Sequence, residues 1–140
     1  MKSLQEYIKE SLDTQKVFVV LKPGFLNLAQ TVINIFNESG WVVEQTNIKQ
    51  LLLSEAKKLY YVHRNEDFYE DLCEYMASEP CRAFIVIKPG KQSKQSFEEV
   101  AKIKDRVREE YGESDMRNVL HSSDSMENME NEASVFFRTF

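Results

Sequence analysis

Three short apolar runs, rich in β-branched and aromatic residues, do most to limit the folds open to this sequence. They are Val17–Leu21, Trp41–Val43 with a weaker continuation to Thr46, and Ala83–Ile87. Runs of this length and composition are typical of strands, and the unbroken apolar character of the first and third is typical of central strands. The chain is therefore predicted to form a sheet whose strands are joined by long intervening segments.

The intervening segments have the spacing of amphipathic helices. Apolar residues recur every three or four positions over residues 28–36, and Gly40 follows where a helix C-terminus is often capped. The same spacing recurs over residues 100–111, after the capping-box pattern of Ser96 and Glu99. Further helices are predicted from Ser54 to about Tyr61, after Asn65 with Phe68, Leu72 and Met76 buried, and from near Ser125.

The order of these elements indicates the fold class. It is β-α-β-α-α-β-α, then the short apolar segment Val119–Leu120, then a last helix. If that segment is a fourth strand, the order is that of a split βαβ fold. We therefore predict an α+β protein, a ferredoxin-like sandwich with a four-stranded antiparallel sheet and helices packed around it. The 140 residues are expected to form one domain, with an N-terminal extension over residues 1–15 and a core over residues 16–138.

Composition argues against several classes of partner. Lys and Arg total 18 against 23 Asp and Glu, a net charge of −5 without a long basic block, so no nucleic acid is expected. No membrane is expected either, because no apolar stretch approaches the roughly 18–20 residues of a span. Residues 1–16 lack the apolar centre of a signal peptide. The two cysteines, Cys73 and Cys81, are predicted to be reduced thiols in or near the core of a cytoplasmic protein.

The few glycines exclude two common ways of holding phosphates. They are Gly24, Gly40, Gly90 and Gly112. Neither a G-x-x-x-x-G-K-[ST] loop nor a G-x-G-x-x-G turn can be written from these positions. If this chain binds nucleotides, it must do so without a glycine-rich loop.

The segment Arg117–Ser125 holds the clearest candidate for chemistry. It places His121 between the short apolar segment and a helix start, and a neutral imidazole is a nucleophile. The free N–H groups of a helix start favour a nearby anion. Glu132, further along that helix, can bond one ring nitrogen and leave the other free to attack. The alternative interpretation is a partly buried structural histidine beside a capping cluster of Ser and Asp.

The pattern Asn-x-x-His-x-Ser-Asp-Ser, followed by a Glu on the next helix, resembles the active-site signature of nucleoside diphosphate kinases. The resemblance covers roughly residues 16–138, and its histidine motif is the specific part. Its weaker matches occur in the same order as in the family. Leu21-Lys22-Pro23 matches the end of the family's first strand, and Arg108 matches an Arg before the active-site strand. Tyr60, Phe68 and the segment Tyr75–Pro80 match the helical hairpin that clamps the base in the family.

The resemblance implies a phosphotransferase that moves the γ-phosphate of a nucleoside triphosphate to a nucleoside diphosphate by a ping-pong mechanism. It implies that His121 is the residue that becomes phosphorylated. Glu132 would orient the imidazole, with Ser123 fixing the Glu. Tyr60 would support the site by hydrogen bonding, and Lys22 would act on the moving phosphoryl group.

The resemblance also implies how nucleotides are bound. Lys22 and Arg108 would contact phosphates, while Asn118 and Lys22 would contact the sugar hydroxyl. Phe68 would stack on the base, which suits any base because each has a π-face. Mg²⁺ is the implied cofactor, held mainly by the phosphates rather than directly by protein ligands. His63 is expected to lie on the surface without a role.

Departures from the family pattern lead us to expect reduced activity. Glu66 stands where the family has an Arg, and an anion there weakens triphosphate binding. The loop Pro89–Ser96 lacks the family's Gly-Arg and Gly-x-Thr elements, so two phosphate-binding Arg positions are lost in all. One hypothesis is that Lys91 or Lys94 partly replaces the missing cation. The alternative is a solvated loop and a polar helix face.

The same loop builds subunit contacts in the family, so a homo-oligomer of uncertain size is expected. The segment Ile103–Gly112 resembles divergent family members of cilia and flagella, which adds the cilium or flagellum to the cytoplasm as an expected location. The alternative function is a catalytically weakened nucleotide-binding or structural module of a larger assembly. A regulatory or RNA-binding ferredoxin-like module is a third interpretation, and the net charge of −5 argues against RNA.

Overall fold

The computed structural model describes residues 13–140, so most of the predicted N-terminal extension lies outside the described residues. The described elements follow the predicted order. They are β1 (Thr14–Leu21), a 3₁₀ turn (Leu26–Leu28), α1 (Ala29–Glu38), β2 (Val42–Lys49), α2 (Leu53–Leu59), a 3₁₀ turn (Tyr61–His63), α3 (Tyr69–Ser78), β3 (Cys81–Pro89), α4 (Lys94–Tyr111), β4 (Leu120–Ser122) and α5 (Met126–Ala133).

Within residues 13–140, four strands form one sheet in the order β2-β3-β1-β4, and every neighbouring pair is antiparallel. This confirms the predicted ferredoxin-like α+β fold. The two unbroken apolar runs are the central strands, as predicted, and Val17–Leu21 has no solvent exposure. Strand β2 lies at one edge and alternates between exposed and half-buried side chains, which is the pattern of a strand covered on one face.

Two helices begin earlier than predicted. Helix α4 begins at Lys94, with Ser93 as its N-cap, because Ser96 Oγ accepts the N–H of Ser93 at 3.1 Å. This start lies three residues before the predicted one, which had Ser96 as the N-cap. Helix α2 begins at Leu53 rather than after Ser54, since Glu55 Oε1 accepts the preceding Leu52 N–H at 2.9 Å. In both cases a side chain three residues into the helix satisfies a free backbone donor.

Other predicted features are confirmed. Ser125 caps α5 by accepting the N–H of Asn128 at 3.1 Å. Gly40 follows α1 with φ of +87°, a conformation that favours glycine. Cys73 and Cys81 are free and buried. Within residues 13–140, none of the helices combines the length and apolar character that crossing a bilayer requires.

Candidate active site

His121 lies on β4, where this short edge strand pairs with β1. The pairing sets His121 opposite Val20, and Lys22, directly after β1, donates its N–H to Val119 O at 2.8 Å. Because β1 is a buried central strand, it provides a fixed support for the edge strand. The sheet thus brings a lysine and a histidine that are distant in sequence to the same edge.

The backbone just before His121 is strained. Val119 has a φ of +80°, and Leu120 donates its N–H to Asn118 O at 3.0 Å, which closes a three-residue turn. A β-branched residue in this conformation costs about 1–3 kcal/mol and persists only where its surroundings impose it. Val119 is fully buried, so the core holds it in place. The strained turn sets the relative positions of Asn118 and His121.

A buried carboxylate binds the imidazole of His121. Nε2 of the ring contacts Oε1 of Glu132, which lies about two turns into α5 and is 5% exposed. Because a carboxylate accepts hydrogen bonds, we assign the ring proton to Nε2. The other nitrogen, Nδ1, then carries a free lone pair.

Tyr60 packs against His121 and leaves its hydroxyl unpaired. The ring centroids are 5.2 Å apart at an interplanar angle of 62°, an edge-to-face arrangement. The buried hydroxyl has no hydrogen-bond partner among residues 13–140. Burial raises the pKa of Tyr60 well above its usual value, so the hydroxyl keeps its proton. A buried donor without a partner is costly, so this hydroxyl is suited to a ligand oxygen.

Two cations approach the same place from different elements. Lys22 is only 3% exposed, and its Nζ donates to Met116 O at 3.3 Å. Burial, and then the charges of Arg108 and Lys104, lower the pKa of Lys22 to about 7. Arg108, near the end of α4, donates from Nε to Leu120 O at 2.9 Å, which ties α4 to β4. The field of this region therefore disfavours further positive charge and favours an anion.

The loop before β4 is held by stacking. The Arg117 guanidinium lies 5.3 Å from the ring centroid of Phe25 and 5.4 Å from that of Tyr75. The next residue, Asn118, donates from Nδ2 to Asp115 O at 2.7 Å. Its Oδ1 atom is buried and has no partner among residues 13–140. That oxygen therefore lacks the donor that a buried acceptor usually has.

Two further flat rings, those of Phe68 and His63, line the same cavity. Phe68 directly precedes α3 and is 45% exposed. The ring of His63 lies 5.6 Å from that of Phe68 and 6.4 Å from that of Tyr60. An exposed aromatic face next to a second flat ring suits stacking with a flat ligand.

These groups line a cavity of about 430 Å³, a size typical of small-molecule sites. Its lining combines cations, polar atoms without partners in the protein, and aromatic and aliphatic side chains. The predicted site residues that line it are Lys22, Tyr60, Phe68, Arg108, Asn118 and His121. The other lining residues are His63, Leu72, Asp115 and Met116.

The sequence matches known proteins along most of its length. The family profile described as "Nucleoside diphosphate kinase" matches residues 15–140. The chain belongs to the nucleoside diphosphate kinase family. A relative of that name from Hyperthermus butylicus is 31% identical over 139 residues, covering 90% of this chain and 94% of the relative. One from Kosmotoga olearia is 30% identical over 134 residues, covering 89% and 90%.

A solved structure from the nucleoside diphosphate kinase family has the same fold. The crystal structure of the Aquifex aeolicus nucleoside diphosphate kinase superimposes with a TM-score of 0.78. The match covers 90% of this chain and 96% of that chain, at 20% sequence identity. The fold is therefore preserved although most side chains differ.

The structure brings together all the site residues predicted from the nucleoside diphosphate kinase resemblance, with Glu132 lying behind His121. One expected interaction is wrong. Ser123 does not fix Glu132, because its buried Oγ has no partner among residues 13–140. The hydrogen bond expected of Tyr60 stays a prediction, since its ring packs against His121 and its hydroxyl has no partner among the described residues.

The expectations for two residues of the helical hairpin also need correction. Phe68 was expected on the buried face of a helix, but it precedes α3 and is exposed to the cavity. His63 was expected on the surface without a role, yet it is half-buried and lines the cavity. It lies on a single 3₁₀ turn, which leaves no periodic pattern that would have marked it.

The departures from the nucleoside diphosphate kinase pattern lie apart from the cavity. Glu66 is exposed and does not line it. Lys91 is also exposed, and Lys94 pairs with Glu98 at 3.8 Å and lines a different cavity near Asp124. The structure therefore gives no support to Lys91 or Lys94 as the replacement cation.

Proposed function

We propose that this protein is a nucleoside diphosphate kinase that transfers the γ-phosphoryl group of a nucleoside triphosphate through phosphorylated His121. The observation that carries the proposal is the pairing of Nε2 of His121 with buried Glu132, beside a cavity that both cations and aromatic side chains line. This pairing leaves Nδ1 as the nucleophilic nitrogen. The family relationship supports the same activity.

In the first half-reaction, the lone pair of Nδ1 forms a bond to the γ-phosphorus. The bond between that phosphorus and the bridging oxygen breaks, and the diphosphate leaves with the electron pair. The proton stays on Nε2 and keeps its hydrogen bond to Glu132. The Glu132 carboxylate stabilises the positive charge that develops on the ring. In the second half-reaction, a terminal oxygen of another diphosphate attacks the phosphorus, and Nδ1 recovers its lone pair.

The remaining residues bind and position the nucleotide. The positive charges of Lys22 and Arg108 neutralise part of the negative charge of the phosphates. The Tyr60 hydroxyl, which has no partner among the described residues, donates a hydrogen bond to a phosphoryl oxygen. Asn118 Oδ1 accepts from a sugar hydroxyl. Phe68 stacks on the face of the base and makes no hydrogen bond to its edge, so we expect nucleotides with different bases to bind similarly well.

Magnesium fits this site as a partner of the nucleotide. Lys22 and Arg108 would hold the phosphates, and Asp115 lines the cavity with a carboxylate, a ligand type that Mg²⁺ accepts. Held mainly by the nucleotide, the metal would supply positive charge that neutralises part of the phosphate charge. From the family relationship we also propose a homo-oligomer, and from the resemblance of residues 103–112 a location in the cytoplasm or in a cilium. The alternative of a weakened binding or structural module gains no support from the comparisons, whose relatives are named as kinases.

Labelling with γ-phosphate-labelled ATP tests the proposal. The chain has two histidines, so phosphohistidine can form only at His63 or His121. We expect acid-labile, alkali-stable label that is lost in His121→Ala and kept in His63→Ala. Absence of label from folded wild-type protein, or label at His63 alone, would overturn the proposal.

A further inference from the structure

We propose that His63 is a positioning residue for the nucleotide base, and that it acts by packing its ring against Phe68. The inference rests on the proposed function in one respect, that a nucleotide fills the cavity with its base on Phe68. It goes beyond that function because it gives a role to a histidine that the family resemblance left without one.

Four rings that line the cavity form a continuous series from the nucleophile to the base-stacking surface. The ring centroids of His121 and Tyr60 are 5.2 Å apart, those of Tyr60 and His63 are 6.4 Å apart, and those of His63 and Phe68 are 5.6 Å apart. Centroid separations of about 4.5–7 Å are those of aromatic pairs in contact. His63 is the member of this series that packs against both Tyr60 and Phe68.

The backbone of the hairpin turns the His63 side chain inward. Over residues 61–68, His63 is the one residue that is not exposed. Its N–H donates to Tyr60 O at 2.8 Å, and its carbonyl accepts the N–H of Glu66 at 2.9 Å. These two consecutive turns hold the backbone on both sides of His63, so the ring is presented to the cavity by a fixed support.

The Phe68 ring is the part of the site that most needs such a neighbour. It directly precedes α3 and is 45% exposed, so little of the core surrounds it. The backbone beside it is fixed, because the hydroxyl of Tyr69 donates to Lys57 O at 2.8 Å. A ring that packs against Phe68 restricts its orientations before the nucleotide arrives, which lowers the entropy cost of binding.

Two consequences distinguish this role from a general structural one. His63 acts on the base, so its loss should weaken a ligand that carries a base and leave the binding of phosphates unchanged. ADP carries a base and a diphosphate, whereas inorganic pyrophosphate carries the diphosphate alone. Because His63 acts through Phe68, its contribution should also disappear when the Phe68 ring is removed.

Calorimetric titration of His63→Ala, His63→Phe and Val62→Ala with magnesium–ADP and with magnesium–pyrophosphate tests the proposal. We expect roughly 3- to 10-fold loss of ADP affinity in His63→Ala, recovery in His63→Phe because a flat ring is restored, and no change for pyrophosphate. Val62→Ala is the matched control, since it shortens an exposed side chain of the same 3₁₀ turn, and it should bind both ligands as the wild type does.

The same titration in a Phe68→Ala background tests the route of the effect. There His63→Ala should cost almost no further ADP affinity. A full further loss would show that His63 contacts the ligand itself, and failure of His63→Phe to recover affinity would show that ring packing is not its role. Either result would overturn the assignment.

Two other results would do the same. They are wild-type ADP affinity in His63→Ala and equal loss for ADP and pyrophosphate, which would indicate a general disturbance of the cavity. Phosphohistidine labelling of the wild type is measured separately. A wild type that binds ADP and never becomes labelled would sink the proposed kinase activity, while the titrations would still decide the role of His63.

Discussion

Nε2 of His121 contacts Oε1 of Glu132, so a buried carboxylate on α5 fixes the ring on β4 with Nδ1 free. This pairing predicts that Glu132→Gln lowers kcat/KM for phosphotransfer by about 10²-fold or more. The neutral amide gives less stabilisation to the positive ring that forms, and it can bind the wrong tautomer. Steady-state rates with ATP and a nucleoside diphosphate measure the effect.

The matched control is Glu127→Gln, which removes an exposed carboxylate from the first turn of the same helix. It should keep full activity. If Glu132→Gln is as active as this control, the carboxylate has no part in orienting His121. Circular dichroism on both variants separates a catalytic loss from unfolding, because Glu132 is buried.

The sheet and the histidine could be predicted from the sequence because each depends on local pattern. Unbroken apolar runs are typical of central strands, and β1 and β3 occupy those positions. His121 and Glu132 lie in one short motif, and a helix carries the Glu back to the ring.

Other parts of the site depend on tertiary neighbours and could not be predicted in this way. A lysine on a helix has the same sequence pattern whether it is exposed, as Lys102 is, or mostly buried, as Lys104 is. His63 lies on an isolated 3₁₀ turn that has no periodicity. The start of α4 was misplaced because a capping pattern at Ser93 competes with the one at Ser96.

The second prediction concerns the pH dependence of nucleotide binding. Burial and neighbouring cations lower the pKa of Lys22 to about 7 in the folded protein. A bound phosphate raises that pKa again, so binding above pH 7 takes up a proton and affinity falls by up to about tenfold per pH unit. Calorimetry of ADP binding near pH 8, in two buffers of different ionisation enthalpy, should show proton uptake.

The corresponding stability effect has a defined sign. The unfolded chain keeps the Lys22 proton up to the ordinary value of 10.5, whereas the folded protein loses it from about pH 7. The contribution of Lys22 to the free energy of unfolding therefore rises between these two values. Lys22→Arg stays charged throughout, so it should lose the proton uptake on binding. Uptake that persists in this variant would assign the titration to another group.

The third prediction concerns base stacking by Phe68. Phe68→Ala should raise KM for nucleotides by roughly 5- to 150-fold, because stacking contributes about 1–3 kcal/mol per base. The rise should be similar for purine and pyrimidine nucleotides. Stability should change little, since the side chain is 45% exposed. Tyr61→Ala, an exposed aromatic outside the cavity lining, is the control and should keep the wild-type KM.

The fourth prediction concerns the turn that follows Lys22. Gly24 has φ of +89°, and a Cβ there would lie 2.7 Å from Arg117 Nη2. Gly24→Ala should therefore lower the free energy of unfolding by about 1–2 kcal/mol through backbone strain. It should lose roughly a further 0.5–1 kcal/mol because Arg117 must leave its stacking contacts with Phe25 and Tyr75.

Gly40 isolates the first contribution, the backbone strain, because it has φ of +87° but its nearest neighbour to a new Cβ is Lys88 Cε at 3.5 Å. Urea unfolding of Gly40→Ala should show the backbone strain alone. In an Arg117→Ala background, Gly24→Ala should cost no more than Gly40→Ala does. An extra cost that survives removal of Arg117 would show that the stacked guanidinium does not account for the sensitivity of this turn.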